Sequence, residues 1–355
     1  MRTMERLAIL GVTTAVVLGA VTTAEAARYR TPSPEQARFY EELKRGDRPS
    51  TRKRPTTAQR RTLDAAPRAA ASRPAAAEAT TYASTAVYVS AHPDDFVLFM
   101  NPHRDVVRDD TKAVFVFVTA GDAGQGKGPT SAPYYLAREN GAFRAVRFMA
   151  DAWNWNTASP SSGRVTVNGH SIYRTVYKNT TTYYLRLPDG AGEGSGYPVH
   201  DWASLMKLKV GEISTIKAVD GSTTYRGWND LVKTITEIVR TQAAGSPNVW
   251  IDVHDPDDAS NPGDHSDHVA TGMAAAAVQP TLPCVNLAYH TGYSTSGLVN
   301  LDLVDIENRS AGFANYTSGL AEKGYPGVSW EPGHMSWLAG MVYRLVDGNG
   351  QTCRF

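Results

Sequence analysis

The sequence is poor in cysteine: Cys284 and Cys353 are the only two among 355 residues. At most one disulfide can form, and it would tie the C-terminal tail to the body, a use of cysteine that suits an exported protein. Charge of one sign is also lacking, with 36 Lys and Arg against 35 Asp and Glu. Together with 42% hydrophobic and 20% charged residues, this excludes a wholly disordered chain, a collagen-like fibre and a multi-span membrane protein. No internal repeat occurs. The first apolar strand is not followed by a glycine-rich turn, and no Walker sequence is present. Nucleotide binding is set aside on those grounds, and no nucleic-acid partner is expected.

The even charge conceals an asymmetry. Residues 1–80 carry 15 basic and 8 acidic side chains, a net of +7, and the rest carry 21 and 27, a net of −6. Arg2 and Arg6 precede an apolar run from Leu7 to about Val21, followed by Ala24-Glu25-Ala26. The run is short for a membrane span, which needs ~20 residues. A basic start, an apolar run and an Ala-x-Ala site read as a signal peptide over 1–26, so the expected location is outside the cell or at its wall, with no membrane span after cleavage. Residues 27–80, rich in Arg, Pro, Ala, Thr and Ser, cannot bury enough apolar surface to offset their ordering entropy. They are expected to form a flexible basic linker or pro-region able to touch an anionic cell-wall polymer.

From residue 81 the pattern changes to that of a folded domain reaching 355. Ala86–Ala91, Ala113–Thr119, Asn248–Val253 and Val285–Tyr289 are apolar runs with little alternation, as expected of parallel strands covered on both faces. Tyr183–Leu187 reads as a further strand. Tyr134–Ala152, Trp228–Thr241, Val269–Val278 and Leu301–Lys323 have helical spacing. Arg164–Ile172 reads as a β-hairpin turning at Asn168-Gly169, which suits a type I′ turn. The fold class is α/β: a Rossmann-like, mainly parallel sheet with helices on both faces and a small β-hairpin insertion.

Ligands of open parallel sheets sit beyond the carboxyl ends of the strands. Three strand ends deliver His and Asp there: Ala91-His92-Pro93-Asp94-Asp95, Ala120-Gly121-Asp122, and His254-Asp255 followed by His265-Ser266-Asp267-His268. Imidazole and carboxylate suit a divalent zinc ion, and catalytic sites keep one coordination position open. Of two adjacent aspartates, one can bind metal while the other faces water as a base. Of two histidines three apart at a helix start, one can bind metal while the other donates a proton. Helix capping by Asp94 or Asp267 is the simpler use of either residue alone.

The two motifs AHPDD and HSDH, in this order, resemble the PIG-L/LmbE-type zinc-dependent de-N-acetylases, whose usual pattern is AHPDDE, a threonine-glycine-acidic-x-glycine turn, then HPDH. The resemblance runs from about Val87 to Gly272. It implies one zinc ion per chain held by His92, Asp95 and His268. It implies Asp94 as the general base and His265 as the group that protonates the leaving amine or steadies the oxyanion, with Asp267 orienting His265. Asp122 matches the acidic turn residue and Arg138 the arginine of the next helix, both implied to face substrate. The implied reaction is removal of an acetyl group from an N-acetylated amino sugar or glycoconjugate. The alternatives are a carbohydrate-binding relative that has lost activity, or a zinc amidase acting on a different amide.

Three positions depart from the pattern. Phe96 stands where the family has an acidic residue, Gly141 where relatives often have Glu, and Ser266 in place of Pro. The loss of an acidic group at 96 is expected to remove a partner of the metal ligands. Tyr183, Tyr184, Trp202, Trp228, Trp330 and Trp337 are candidates for stacking on a sugar. Leu187-Pro188-Asp189-Gly190 and the glycine-rich stretch after it read as a mobile loop beside the site, and His334 as structural.

Overall fold

Five parallel strands form the middle of an eight-stranded sheet in this computed structural model, which describes residues 82–108, 110–126, 133–153, 158–326 and 332–355. The expected signal peptide, the basic linker and Trp330 lie outside the described residues, all of which belong to one unit, Glu78–Phe355.

In chain order the elements are β1 (Ser84–Ser90), a π-helical turn (Phe96–Met100), α1 (His103–Val106), β2 (Thr111–Thr119), α2 (Tyr134–Trp153), β3 (Ser161–Val167), β4 (His170–Tyr177) and β5 (Thr180–Leu187). Then come α3 (Leu205–Val210), β6 (Thr215–Lys217), β7 (Thr224–Arg226), α4 (Trp228–Gln242), β8 (Asn248–His254), α5 (Ser266–Ala276), β9 (Asn286–His290), α6 (Leu303–Ala321), α7 (Pro332–Met335) and β10 (Tyr343–Val346). The sheet order is β10-β9-β8-β1-β2-β5-β4-β3, and β6 pairs with β7 apart from it. β10, β4 and β3 pair antiparallel at the two edges. The expected hairpin is therefore part of the main sheet, with Asn168 and Gly169 both at positive φ as a type I′ turn requires.

Alternate residues of the central strands feed two cores. Val87, Val89, Val114 and Val116 face α3, α4 and α5, while Ala86, Tyr88, Phe115 and Phe117 face α2 and α6. Helices thus cover both faces, and each fully buried large apolar side chain stabilises by about 1.5–3 kcal/mol. Two of the three departures from the motif, at Phe96 and Gly141, are explained by this packing. Phe96 is fully buried against Phe115 and Phe117, at ring distances of 5.1 and 5.4 Å, so its side chain belongs to the core beneath the site. Gly141 sits where α2 meets α6: a Cβ there would lie 2.6 Å from the Tyr316 carbonyl oxygen, and one at Gly319 would lie 2.6 Å from Gly141 Cα. The two helices touch backbone to backbone, and no glutamate fits. A disulfide joins Cys284 to Cys353 across 69 residues and anchors the tail, where the Cys353 N–H donates to the Pro247 carbonyl just before β8 at 3.1 Å.

No helix among the described residues is long and apolar enough to cross a membrane.

Candidate metal centre

β1 leads to β2 on one side, while β8 lies on its other side, so the connections part between β1 and β8. That switch point opens a crevice beyond the carboxyl ends of the two strands. The β1 end supplies His92, Asp94 and Asp95, with Asp95 at the start of the π-helical turn. The β8 end supplies His254, and the following loop runs through Asp264 to the start of α5, where His265 is the capping residue and His268 lies in the first turn.

The early aspartates and the later histidines converge. His92 Nδ1 lies 3.2 Å from His268 Nε2 and 3.6 Å from Asp95 Oδ1, and His268 Nε2 lies 3.3 Å from Asp95 Oδ1. With zinc–ligand bonds of about 2.0–2.1 Å, the edges of a tetrahedral site are about 3.3–3.4 Å. The three donors are therefore spaced as one face of such a site. All three side chains are buried.

Each donor has an outer partner. Asp264 Oδ1 holds His268 Nδ1 at 2.9 Å, Asp267 Oδ2 faces His92 Nε2 at 3.4 Å, and the backbone N–H of His92 donates to Asp95 Oδ2 at 2.7 Å. Such partners fix ring orientation and raise ligand basicity. Burial alone would lower the His268 pKa, but Asp95 and Asp264 outweigh it and raise it to about 9. Burial is outweighed in the same way at His92, by Asp95 and Asp267. Burial would raise the Asp95 pKa, yet His268 and His92 hold it well below the usual carboxylate range. The carboxylates therefore demand compensating positive charge at this spot, which a divalent cation would supply.

Asp267 departs from its expected task. Its carboxylate lies closer to His92 than to His265, 3.4 against 3.9 Å, and also accepts the Gly190 N–H at 2.8 Å. It is the backbone N–H of Asp267 that holds His265, donating to Nδ1 at 3.1 Å. Burial, reinforced by His92 and His268, pushes the His265 pKa down to about 3. His265 is thus neutral, with its proton on Nε2.

Asp94 is buried at the pocket edge and ion-paired with Arg138. Arg138 also donates to the Gly121 carbonyl at 2.7 Å and the Tyr316 hydroxyl at 2.8 Å. Gly121 stands at φ +53, and a Cβ there would lie 2.4 Å from Arg138 Nη1, so only glycine admits the guanidinium. Arg138 lines the pocket, and much of its donor capacity is spent on the protein.

Asp122 corrects the expectation of substrate contact. It is fully buried: Oδ1 accepts the Asp189 N–H at 3.3 Å, and Oδ2 accepts the Gly126 N–H at 2.6 Å and pairs with His200 Nε2 at 2.7 Å. Its carboxylate is consumed in holding the loop, and Asp189 lines the pocket instead. That loop is tied to the site: besides the Gly190 bond to Asp267, Ser266 donates its N–H to the Gly192 carbonyl at 2.9 Å.

The cavity above these groups measures about 250 Å³. Asp94, Arg138, Asp189 and His265 line one side, and Phe99, Tyr293 and Trp337 form an aromatic wall. Tyr293 and Trp337 stack at 5.0 Å and 13°. Of the aromatic candidates, Trp337 reaches the pocket, Tyr183 and Tyr184 are buried in the two cores, Trp228 packs beside Lys209, and Trp202 is exposed outside the cavity. His334, expected to be structural, lines the cavity. Sequence reasoning singled out neither Asp264 nor Tyr293, and it noted His254 only as part of a strand end and Asp189 only within the loop beside the site. Asp264 had one signal, its place four residues before His268, one turn away on a helical path.

No protein-family model matches the sequence, and no curated protein matches it. Among solved structures the chain is similar to the N,N'-diacetylchitobiose deacetylase from Pyrococcus horikoshii complexed with its inhibitor MPG, at 13% identity and a TM-score of 0.42 over 75% of this chain and 84% of that one. It is also similar to a deacetylase of teicoplanin biosynthesis in a bog complex, at 13% identity and a TM-score of 0.41 over 75% of this chain and 100% of that one. The zinc-inhibited form of the teicoplanin deacetylase Orf2 has the same identity and coverage, with a TM-score of 0.40.

Proposed function

We propose that the protein is a zinc-dependent hydrolase that removes the acetyl group from an N-acetylated amino sugar or glycoconjugate. The observation that carries this is the triangle of His92 Nδ1, Asp95 Oδ1 and His268 Nε2, with edges of 3.2, 3.6 and 3.3 Å, of which His92 and Asp95 line a pocket edged by Asp94 and His265. The AHPDD and HSDH motifs support it through their resemblance to the de-N-acetylases. When bound, a zinc ion supplies a Lewis acid for the amide carbonyl and lowers the pKa of water.

The chain's own groups do the rest. Asp94 takes a proton from water as the oxygen adds to the carbonyl carbon, and returns it to nitrogen as the C–N bond breaks, releasing acetate and the amine. Arg138 holds the Asp94 carboxylate in place. His265, neutral, offers Nε2–H to the developing oxyanion. Tyr293 and Trp337 present an apolar face to a pyranose ring, and a 250 Å³ cavity suits one small sugar unit rather than a long chain. The expected export segment supports a substrate outside the membrane, such as a single sugar unit of a cell-envelope glycan, a glycolipid or a secreted aminoglycoside-like molecule, with the basic linker able to touch an anionic wall.

Phe96 gives no support to the reading of a binding protein that has lost activity, because its ring fills the core rather than a vacated place beside the donors. The test is acetate release from a panel of N-acetylated amino sugars by the zinc-loaded protein. Release from none of them, or release undiminished in Asp94→Ala, would contradict the proposal.

A further inference from the structure

A third imidazole lies against one of the two in the donor triangle. His254 is fully buried, and its ring lies parallel to that of His268, with centroids 3.8 Å apart and planes 9° apart. Phe99 meets it edge-on at 5.2 Å. α5 is pressed onto its backbone: a Cβ at Gly272 would come within 2.4 Å of the His254 carbonyl oxygen. Among the described residues neither ring nitrogen has a hydrogen-bond partner. Nε2 stops 3.5 Å from Asp95 Oδ2, and Nδ1 stops 3.7 Å from Asp264 Oδ2. Space filling does not account for this residue. A phenylalanine would stack there without stranding two polar atoms away from water.

The two carboxylates it faces differ in what they still need. Asp264 is already engaged at both oxygens, by His268 Nδ1 at 2.9 Å and by Asn261 Nδ2 at 2.6 Å. Among the described residues, Asp95 Oδ2 has the His92 N–H at 2.7 Å and no closer side-chain donor than His254.

We infer that His254 is a positioning residue for the cation seat, acting through Asp95; this rests on the reading of the triangle as a zinc site. An Nε2–H directed at Asp95 Oδ2 joins the His92 N–H on the same oxygen. Closing from 3.5 Å to hydrogen-bond distance requires a shift of about 0.5 Å. With both donors on Oδ2, only Oδ1 faces His92 and His268. Asp95 is thereby held as a one-oxygen ligand, and the remaining coordination position stays free for the substrate carbonyl or water.

The test compares full-length wild type with His254→Phe, His254→Gln and His254→Asn. Zinc affinity is measured by competition with a chromophoric chelator, and the visible spectrum is recorded with cobalt(II) in place of zinc. The phenylalanine variant should bind zinc about 10–100-fold more weakly. Its cobalt bands should lose intensity several-fold as Asp95 turns both oxygens to the metal and the coordination number rises. Glutamine, whose amide N–H takes the place of Nε2, should restore both readouts. Asparagine, whose amide takes the place of Nδ1 on the Asp264 side, should not. The inference is overturned if the phenylalanine variant matches wild type within twofold with an unchanged cobalt spectrum, or if asparagine restores as fully as glutamine. Should the phenylalanine variant fail to fold by circular dichroism, the glutamine and asparagine pair decides. Wild type that takes up no zinc would instead overturn the metal-hydrolase reading on which the inference stands.

Discussion

The backbone N–H of Asp267 donates to Nδ1 of His265 at 3.1 Å, and this one contact settles which proton the imidazole carries. With Nδ1 an acceptor and burial pushing the pKa down to about 3, His265 serves as a neutral Nε2–H donor rather than as an imidazolium acid. His265→Gln keeps an N–H donor and is expected to retain far more activity than His265→Ala, which should lose about 10²–10³-fold in kcat, the loss typical of one oxyanion donor. Equal inactivity of the two variants would show that a proton is transferred from this ring.

Arg138 binds Asp94, the Gly121 carbonyl and the Tyr316 hydroxyl together. Arg138→Met is therefore expected to lower kcat at least tenfold with a smaller change in KM, because the base loses its orientation. Tyr316→Phe removes the hydroxyl that accepts from the charged Arg138 guanidinium, a contact of about 1.5–3 kcal/mol, and should lower kcat by less than Arg138→Met does. Steady-state kinetics separate this from simple substrate binding by Arg138, which would raise KM at constant kcat.

The Gly141–Gly319 contact makes a stability prediction. Gly141→Ala places a methyl group against the Tyr316 carbonyl and the α6 backbone, which cannot yield as a side-chain tip can. Destabilisation of about 1–3 kcal/mol is expected from overpacking. Denaturant unfolding measures it, and an unchanged midpoint would contradict the close approach of α2 and α6.

Asp305 supplies the pH dependence. Burial would raise its pKa, but His103 at 3.2 Å and the Arg104 fork lower it to about 2. Its folded-state pKa lies below the unfolded value, so its contribution is present above pH ~4 and is lost as pH falls toward 2. Asp305→Asn should cost about 1–2 kcal/mol at pH 7, after discounting for the partly exposed Arg104, and roughly half as much at pH 3. Urea unfolding of both proteins at the two pH values tests this, and a difference that grows on acidification would contradict the assigned pairing.

The parts legible in the sequence were those carried by local pattern. β1, β2 and β8 are apolar runs that only a sheet covered on both faces can use, and their ends named His92, Asp94 and Asp95 without any knowledge of packing. His265 and His268 were legible because a helix start follows a strand end. What escaped depended on distant contacts. Nothing near Asp122 tells that His200 and Gly126 would absorb its carboxylate, and nothing near His254 tells that its ring would lie on that of His268. β10, four residues of YRLV, is too short to announce a strand, and it forms because β9 offers it an edge. The substitution of Gly141 became intelligible only when α6 was seen against it.

The central claim is that His92, Asp95 and His268 hold one zinc ion. Elemental analysis of the purified chain after exposure to zinc and desalting tests it most directly, alongside His92→Ala and His268→Ala. About one zinc per wild-type chain, falling to near zero in both variants while their folds persist by circular dichroism, is the expected result. A wild-type chain free of zinc, or variants that retain it in full, would contradict the account.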